Sequence, residues 1–461
     1  MQAHANKRNA IHGSLAELQK VVAHSLAHGE AHFSGLSTDS RQIETGNIFL
    51  ALHGETFDAH DFLDQVVSAG AVAVIAEKIP AGFTTPALIV PDTKLALAEI
   101  ATNWRQQFEL PVIAVTGSNG KTTVKEMIAS ILRAKFGSDH MVSTQGNLNN
   151  DIGVPLTVFR LHAGHQAAVL ELGMNHPGEI ALLSAIAQAS VGLVNNAQRE
   201  HQEFMQTVEA VALENGAVLS SLPAHGVAVF PADDPYTKIW QELAGACKCI
   251  TFGLNDSAEV HASFVAQEFG SEIEMSIQGE VVKLQLAAAG QHNVLNALAA
   301  AACCSAIGVD RAKIVEGLQA FAPVSGRLQP KQALAGARLI DDTYNANPDS
   351  VKAAIDVLAQ AGDKTILVLG DMGEVGADGA SFHQEIGLYA KSQGIKLLYT
   401  FGSLAQASAT AFGDGAQHFS ELGSLLLSLE KHSNAGNTIL IKGSRFMKME
   451  RVVVHLCSAT S

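Results

Sequence analysis

Val112-Ile113-Ala114-Val115-Thr116-Gly117-Ser118-Asn119-Gly120-Lys121-Thr122-Thr123 joins an apolar strand pattern to a glycine loop and the start of a helix. Val124, Met127, Ile128, Ile131 and Leu132 then recur at three- and four-residue spacing, the signature of a helix with one apolar face. A loop of this kind suits a polyphosphate. Gly117 and Gly120 let backbone N–H groups approach it, Ser118, Asn119 and Thr123 line the turn, Lys121 brings a point charge, and Thr122 offers a hydroxyl to Mg²⁺. Only two residues separate the glycines, where the common phosphate loop has four. An ordinary strand-to-helix turn is the alternative, and the strand–loop–helix context argues against it.

The rest of the chain sets limits on that reading. With 461 residues, 47% hydrophobic and 16% charged, it is too long for one core and is expected to form several domains. A formal net charge of −15 excludes a general nucleic-acid binder, which needs a basic face. Cys247, Cys249, Cys303, Cys304 and Cys457 lack metal-site or disulfide spacing, so reduced thiols in a cytoplasmic protein are expected. Met1 to His12 is polar, without the apolar core of a signal peptide, and is expected to be a ragged arm. No run approaches the about 20 apolar residues of a membrane span.

Three rhythms suggest three α/β domains, over 13–109, 110–325 and 326–461. The first is small, with strand-like runs at Asn47 to Leu52, Ala71 to Ala76 and Ala87 to Val90, and it ends where Glu109-Leu110-Pro111 breaks a helix. In the second, apolar strands alternate with helices at Val112 to Thr116, Ala167 to Leu172, Val191 to Asn195 and Val227 to Phe230, implying a parallel sheet. Period-two patterning over Val260 to Leu286 adds an antiparallel hairpin, and an alanine-rich helix follows from His292. The third repeats strand and helix from Ser325-Gly326-Arg327 onward, and its strand ends place Asp341, Asp342, Asp371 and Lys442 near one rim.

Other residues could join the phosphate loop. Glu171 closes a strand, from which a carboxylate can reach a phosphate-bound metal, although such a residue can also simply be solvated or cap a helix. His201 and Glu203 follow the strand Val191 to Asn195, in a polar loop where a histidine can equally be inert. Asn293 and Asn296 lie three apart on one helical face, suited to a flat base or to capping. Asp342, Tyr344, Asn345 and Asn347 crowd one loop and suit ribose or substrate contacts, or turn and cap roles. Arg327 could reach a transferring phosphoryl group from the next domain. Lys442-Gly443-Ser444-Arg445 reads equally as a carboxylate contact or a solvated basic turn.

Together the phosphate loop, Gln145-Gly146-Asn147-Leu148-Asn149-Asn150-Asp151-Ile152-Gly153, Glu171-Leu172-Gly173-Met174-Asn175, Asp342-Thr343-Tyr344-Asn345-Ala346-Asn347-Pro348 and Gly370-Asp371-Met372-Gly373-Glu374 resemble the Mur ligases of bacterial cell-wall synthesis. Ser37-Thr38-Asp39-Ser40-Arg41, with Gly46, Phe49, Gly54, Asp58 and His60, resembles the family's UDP-sugar domain. The resemblance implies an N-terminal domain holding a UDP-N-acetylmuramoyl tripeptide, a central phosphate-loop domain holding ATP and Mg²⁺, and a C-terminal Rossmann-like domain presenting D-alanyl-D-alanine. It implies phosphorylation of the tripeptide carboxylate, attack by the dipeptide amine, and release of phosphate, in a cytoplasmic enzyme expected to be a monomer. By the same resemblance Lys121, Glu171, His201 and Arg327 are catalytic. Thr122, Glu171 and His201 hold metal, Asn293 and Asn296 meet adenine, and Asp342 meets ribose. Ser37, Asp39, Ser40, Arg41, Asn149, Asn150, Tyr344, Asn345 and Asn347 contact substrate.

One departure stands out. Many family members carry a carbamate-modified lysine for a second Mg²⁺, and Leu213-Glu214-Asn215-Gly216 places Asn215 there. That metal would then fall to Glu214 or to water. A folate polyglutamate synthase shares the loop and the acyl-phosphate chemistry, but the UDP-type first domain argues against it. An ATP-dependent switch with a degenerate site is opposed by the joint presence of Lys121, Glu171 and Arg327.

Overall fold

Residues 10–54 and 56–457 are described in a computed structural model, and they form three α/β domains, each built on its own main sheet. The first carries a five-stranded sheet ordered Leu26–His28, Ala87–Ile89, Ala73–Ala76, Ile48–Leu50 and Leu36–Ser37, with only the first pair antiparallel. Its long helix, Thr93–Arg105, starts where the Asp92 carboxylate accepts the amides of Lys94 and Leu95 at 2.8 and 2.9 Å.

The polar N-terminal stretch is not a ragged arm where it is described. Residues 1–9 lie outside the described residues, but Ile11 is buried and His12–Ser14 pairs antiparallel with His32–Ser34. Ala10 also donates its amide to Phe159 O, across into the central domain. An apolar residue at position 11 is enough to anchor a segment whose neighbours are polar.

Nine strands make the central sheet, in the order Glu280–Leu286, Gly270–Ile277, Val260–Gln267, Lys248–Gly253, Val227–Pro231, Val191–Val194, Val112–Thr116, Ala167–Glu171 and Met141–Ser143. The seven strands from Val260–Gln267 onward are parallel, and every residue of Val112–Thr116 is buried. The expected hairpin is a three-stranded antiparallel meander. Later strands add to both sides of Val112–Thr116, so the chain reverses direction of growth at its carboxyl end. Such a reversal opens a crevice where ligands bind in open parallel sheets.

The third domain has six strands, ordered Gln329–Gln332, Arg338–Asp342, Thr438–Lys442, Thr365–Gly370, Leu397–Phe401 and Ala416–Phe419, with only the first antiparallel. Among the described residues no helix is long and apolar enough to cross a membrane.

Candidate active site

Backbone conformation explains the two loop glycines. Gly117 and Gly120 have φ of +129° and +82°, and a Cβ on Gly120 would sit 2.6 Å from Asn296 Oδ1 and 2.7 Å from Asn195 Nδ2. Those asparagines support the loop from below. Asn195 Nδ2 donates to Asn119 O at 2.8 Å and to Asn296 Oδ1 at 2.9 Å, and Asn196 Oδ1 accepts the Asn119 amide at 2.9 Å. Helix Lys121–Phe136 begins at Gly120, so its unpaired amides and positive dipole end face the crevice. Lys121 Nζ donates to Gly117 O at 2.6 Å, Ser118 O at 3.3 Å and Glu200 Oε1 at 2.8 Å.

Beside the loop lies a buried carboxylate whose chemistry suits a divalent cation. Glu171 is 2% exposed, and its Oε1 accepts from Thr122 Oγ1 at 3.1 Å and Asn149 Nδ2 at 2.8 Å. Its Oε2 is buried with no hydrogen-bond partner. A buried, half-unsatisfied carboxylate next to a threonine hydroxyl fits Mg²⁺, which at phosphate sites needs only one or two carboxylates and fills its shell with phosphate and water. No cluster of three or more His, Cys, Asp or Glu side chains suited to a metal exists among the described residues. Glu171 itself is held by Thr144 Oγ1, which accepts its amide at 2.9 Å. The fully buried Lys125, donating to Thr144 O at 2.9 Å, braces that residue.

All three domains border one cleft of about 980 Å³, lined by Lys94, the phosphate loop, Glu171, Glu200, His201, Arg327 and Asn347 among others. The third domain is closed onto the second. Arg327 Nη2 donates to Thr122 Oγ1 at 2.8 Å while its guanidinium lies 4.1 Å from the Tyr344 ring centre. Asn347 caps helix Pro348–Ala359 through Ser350 N and also donates to Asn119 Oδ1 at 2.9 Å. His201 Nδ1 lies 2.7 Å from Glu374 Oε2, and its Nε2 lies 3.4 Å from Glu200 Oε1.

Burial pulls the His201 imidazolium down, but hydrogen bonds and charge from Glu200 and Glu374 outweigh it and push its pKa up to about 9. A group raised in the folded state stabilises it fully below its unfolded pKa, about 6.5, and loses that contribution as pH rises through about 9. Metal-free protein should therefore melt above its His201→Gln variant by a margin that is largest near about pH 6 and closes by about pH 10. A margin independent of pH contradicts the ion pair.

Several expected residues have duties other than open ligand contacts. Asn293 Nδ2 donates to Ala289 O and its Oδ1 accepts from Asn296, whose own Oδ1 meets Asn195 of the loop scaffold, while both asparagines line the cleft. Asp342 accepts the Leu328 amide at 3.1 Å and Lys442 Nζ at 2.6 Å. Lys442 also donates to Asn345 O and is 3% exposed, so it is neither a solvated basic turn nor a free carboxylate contact. Asn150 Oδ1 accepts the Gly153 amide. In the first domain Asp39 accepts Arg41 Nε and Nη2, both at 2.9 Å, and the Ser37 hydroxyl accepts the Asp39 amide. Ser40 follows Asp39 just beyond the end of strand Leu36–Ser37.

Asn215 does not face the metal pocket through its carbonyl. Its Oδ1 accepts the Gly117 amide at 3.0 Å behind the loop. Glu214 is engaged at another element: its two oxygens accept the Gly178 and Ile180 amides at the start of helix Glu179–Ala187, both at 2.8 Å. Arg199, Glu200, Lys125, Asn195 and Asn196 went unnoticed in the sequence. The run of polar residues after strand Val191–Val194 hints at all but Lys125, which lies within helix Lys121–Phe136.

Three family models match the chain: Mur ligase family, catalytic domain over 32–105, Mur ligase middle domain over 115–304, and Mur ligase, glutamate ligase domain over 326–445. The UDP-N-acetylmuramoyl-tripeptide–D-alanyl-D-alanine ligase of Escherichia coli K12 is 39% identical, over 95% of this chain and 97% of its own. Among solved structures, MurF from Acinetobacter baumannii superposes with a TM-score of 0.91 at 34% identity, over 97% of this chain and 99% of its own. MurF ligase from Thermotoga maritima in complex with ADP gives 0.81 at 26%, over 91% and 96%.

Proposed function

The chain belongs to the Mur ligase family, and from that premise we propose that it is an ATP-dependent ligase joining D-alanyl-D-alanine to UDP-N-acetylmuramoyl tripeptide in peptidoglycan precursor synthesis. One observation carries the reading at the level of chemistry. The phosphate loop around Lys121 meets Arg327 of the third domain at Thr122, so a nucleotide's terminal phosphate is flanked from both domains. That arrangement suits transfer of the phosphate to a carboxylate lying across the seam.

The residues divide the work. Loop amides of Gly117 to Thr123 and the helix end cradle the β- and γ-phosphates, and Lys121 exchanges Glu200 for phosphate oxygens. Arg327 meets the charge that develops on the transferring group. When held by Thr122 and Glu171, with His201 lining the same cleft, Mg²⁺ supplies Lewis-acid charge to the phosphate oxygens. The tripeptide carboxylate attacks the γ-phosphorus and ADP leaves. The dipeptide amine then attacks the acyl carbon of the acyl phosphate, a tetrahedral intermediate collapses, and phosphate departs. Closure of the third domain keeps water from that acyl phosphate.

In this reading Ser37, Asp39, Ser40 and Arg41 of the first domain, 13–109, meet the UDP-sugar, while Asn149 and Asn150 face the peptide. Adenine lies beside Asn293 and Asn296 in the central domain, 110–325. Ribose lies beside Asp342, and Tyr344, Asn345 and Asn347 approach substrate from the third domain, 326–461. The enzyme is proposed to act as a cytoplasmic monomer. Phosphate release should require both UDP-N-acetylmuramoyl tripeptide and D-alanyl-D-alanine, measured by a coupled assay with each omitted in turn. Equal release with L-glutamate and a folate overturns the assignment.

A further inference from the structure

Arg199 precedes the short helix Gln202–Met205 in the central domain, and the reaction described above assigns it no part. Its backbone amide donates to Asp349 Oδ2 at 2.9 Å, its Nη2 to Asp349 Oδ1 at 2.5 Å, and its Nη1 to Glu385 Oε2 at 2.7 Å. The guanidinium also lies 5.3 Å from the Phe382 ring centre. All three partners belong to the third domain, in helices Pro348–Ala359 and Gly379–Ser392. The Arg199 side chain is only 22% exposed and its planar fork is matched by two carboxylates, which sets it apart from a solvent-screened surface pair.

Asp349 follows Asn347 by two residues, and Asn347 touches the phosphate loop at Asn119. One helix start is thus tied twice to the central domain, once at the loop and once at Arg199. Arg327–Thr122 and His201–Glu374 cross the same seam, and Arg199 adds a contact that grips two third-domain helices at once. We infer that Arg199 is a positioning residue that sets the closed angle of the third domain, thereby holding Arg327 at Thr122 and water away from the acyl phosphate. This inference rests on the ligase reading above. Without the latch, water would compete with the amine: its oxygen bonds to the acyl carbon, the carbon–oxygen bond to phosphate breaks, phosphate leaves, a proton goes to solvent, and the tripeptide carboxylate is restored.

The test measures phosphate and amide together in full-length Arg199→Met. Amide formation should fall by about a hundredfold, the scale of a misplaced reacting group, while affinity for the UDP-tripeptide stays unchanged. Phosphate released per amide should rise from one to several, and Arg199→Lys should recover part of the rate. If Arg199→Met fails to fold, Glu385→Gln decides, with a smaller rise in the same ratio. A ratio that stays at one in every folded variant, whatever the rate, overturns the inference. Small-angle scattering with ADP and Mg²⁺ separates this failure from that of the function: a wild type inactive on these substrates sinks the ligase reading, whereas an unchanged radius of gyration in the variant sinks the latch.

Discussion

Lys121→Ala should lower turnover by about a thousandfold, the scale on which one preorganised charge at a developing anion acts, while leaving UDP-substrate binding intact. Lys121 is positioned before any nucleotide arrives, because Gly117 O and Ser118 O hold its ammonium over the loop and Glu200 supplies the countercharge. Its side chain is 14% exposed, so little solvent screens the interaction with incoming phosphate. Alanine leaves the loop amides and the helix end in place, which is why residual turnover is expected rather than none. The first domain is built on a sheet separate from the one that carries this loop, and by the proposed division of roles it should bind the UDP end of its ligand as before. Calorimetric titration with the UDP substrate and an ADP-release assay check the two halves. Loss of both together contradicts the division of labour between the domains.

Glu171→Gln should lower kcat by about a hundredfold and raise the Mg²⁺ concentration needed for half-maximal rate. The replacement is nearly isosteric, and a glutamine carbonyl can still accept from Thr122 and Asn149 as Glu171 Oε1 does. What changes is the unpartnered, buried Oε2 position, where a charged acceptor becomes an amide donor. Removing an unpaired buried charge should leave the metal-free melting temperature unchanged or slightly higher, so lost activity cannot be ascribed to lost fold. A magnesium titration with the wild-type midpoint contradicts the assignment of Glu171 as a ligand.

Local features of the chain were legible because their causes are local. The strand before Gly117 is apolar from Val112 to Val115, the glycines sit where positive φ is required, and the amphipathic helix follows at once. Short edge strands escaped notice for the opposite reason. Gln329–Gln332 has no buried residue, Ala416–Phe419 has one, and His12–Ser14 carries no apolar alternation to read. Lys248–Gly253 was missed because its one-sided burial mixes Cys and Thr with apolar residues.

Site residues divided along the same line. Lys121, Thr122 and Glu171 follow from motif and strand end, and the fold brings Thr122 and Glu171 into hydrogen-bond contact. Arg199 meets Asp349 across 150 residues, and Asn195 meets Asn296 across 101, so no spacing rule could pair them. Asn293, Asn296 and Asp342 show both cases. They line the cleft as their residue types suggest, but their hydrogen bonds to Ala289 O, Asn195, Leu328 N and Lys442 follow from the fold and not from any spacing in the sequence.

Isotope transfer tests the central claim most directly, namely that the loop around Lys121 passes a terminal phosphoryl group to a carboxylate on a second molecule. Tripeptide labelled with oxygen-18 in its terminal carboxylate should yield inorganic phosphate carrying one labelled oxygen for each amide formed. Phosphate released without the label, alongside amide formation, would contradict the acyl-phosphate route and the site built around it.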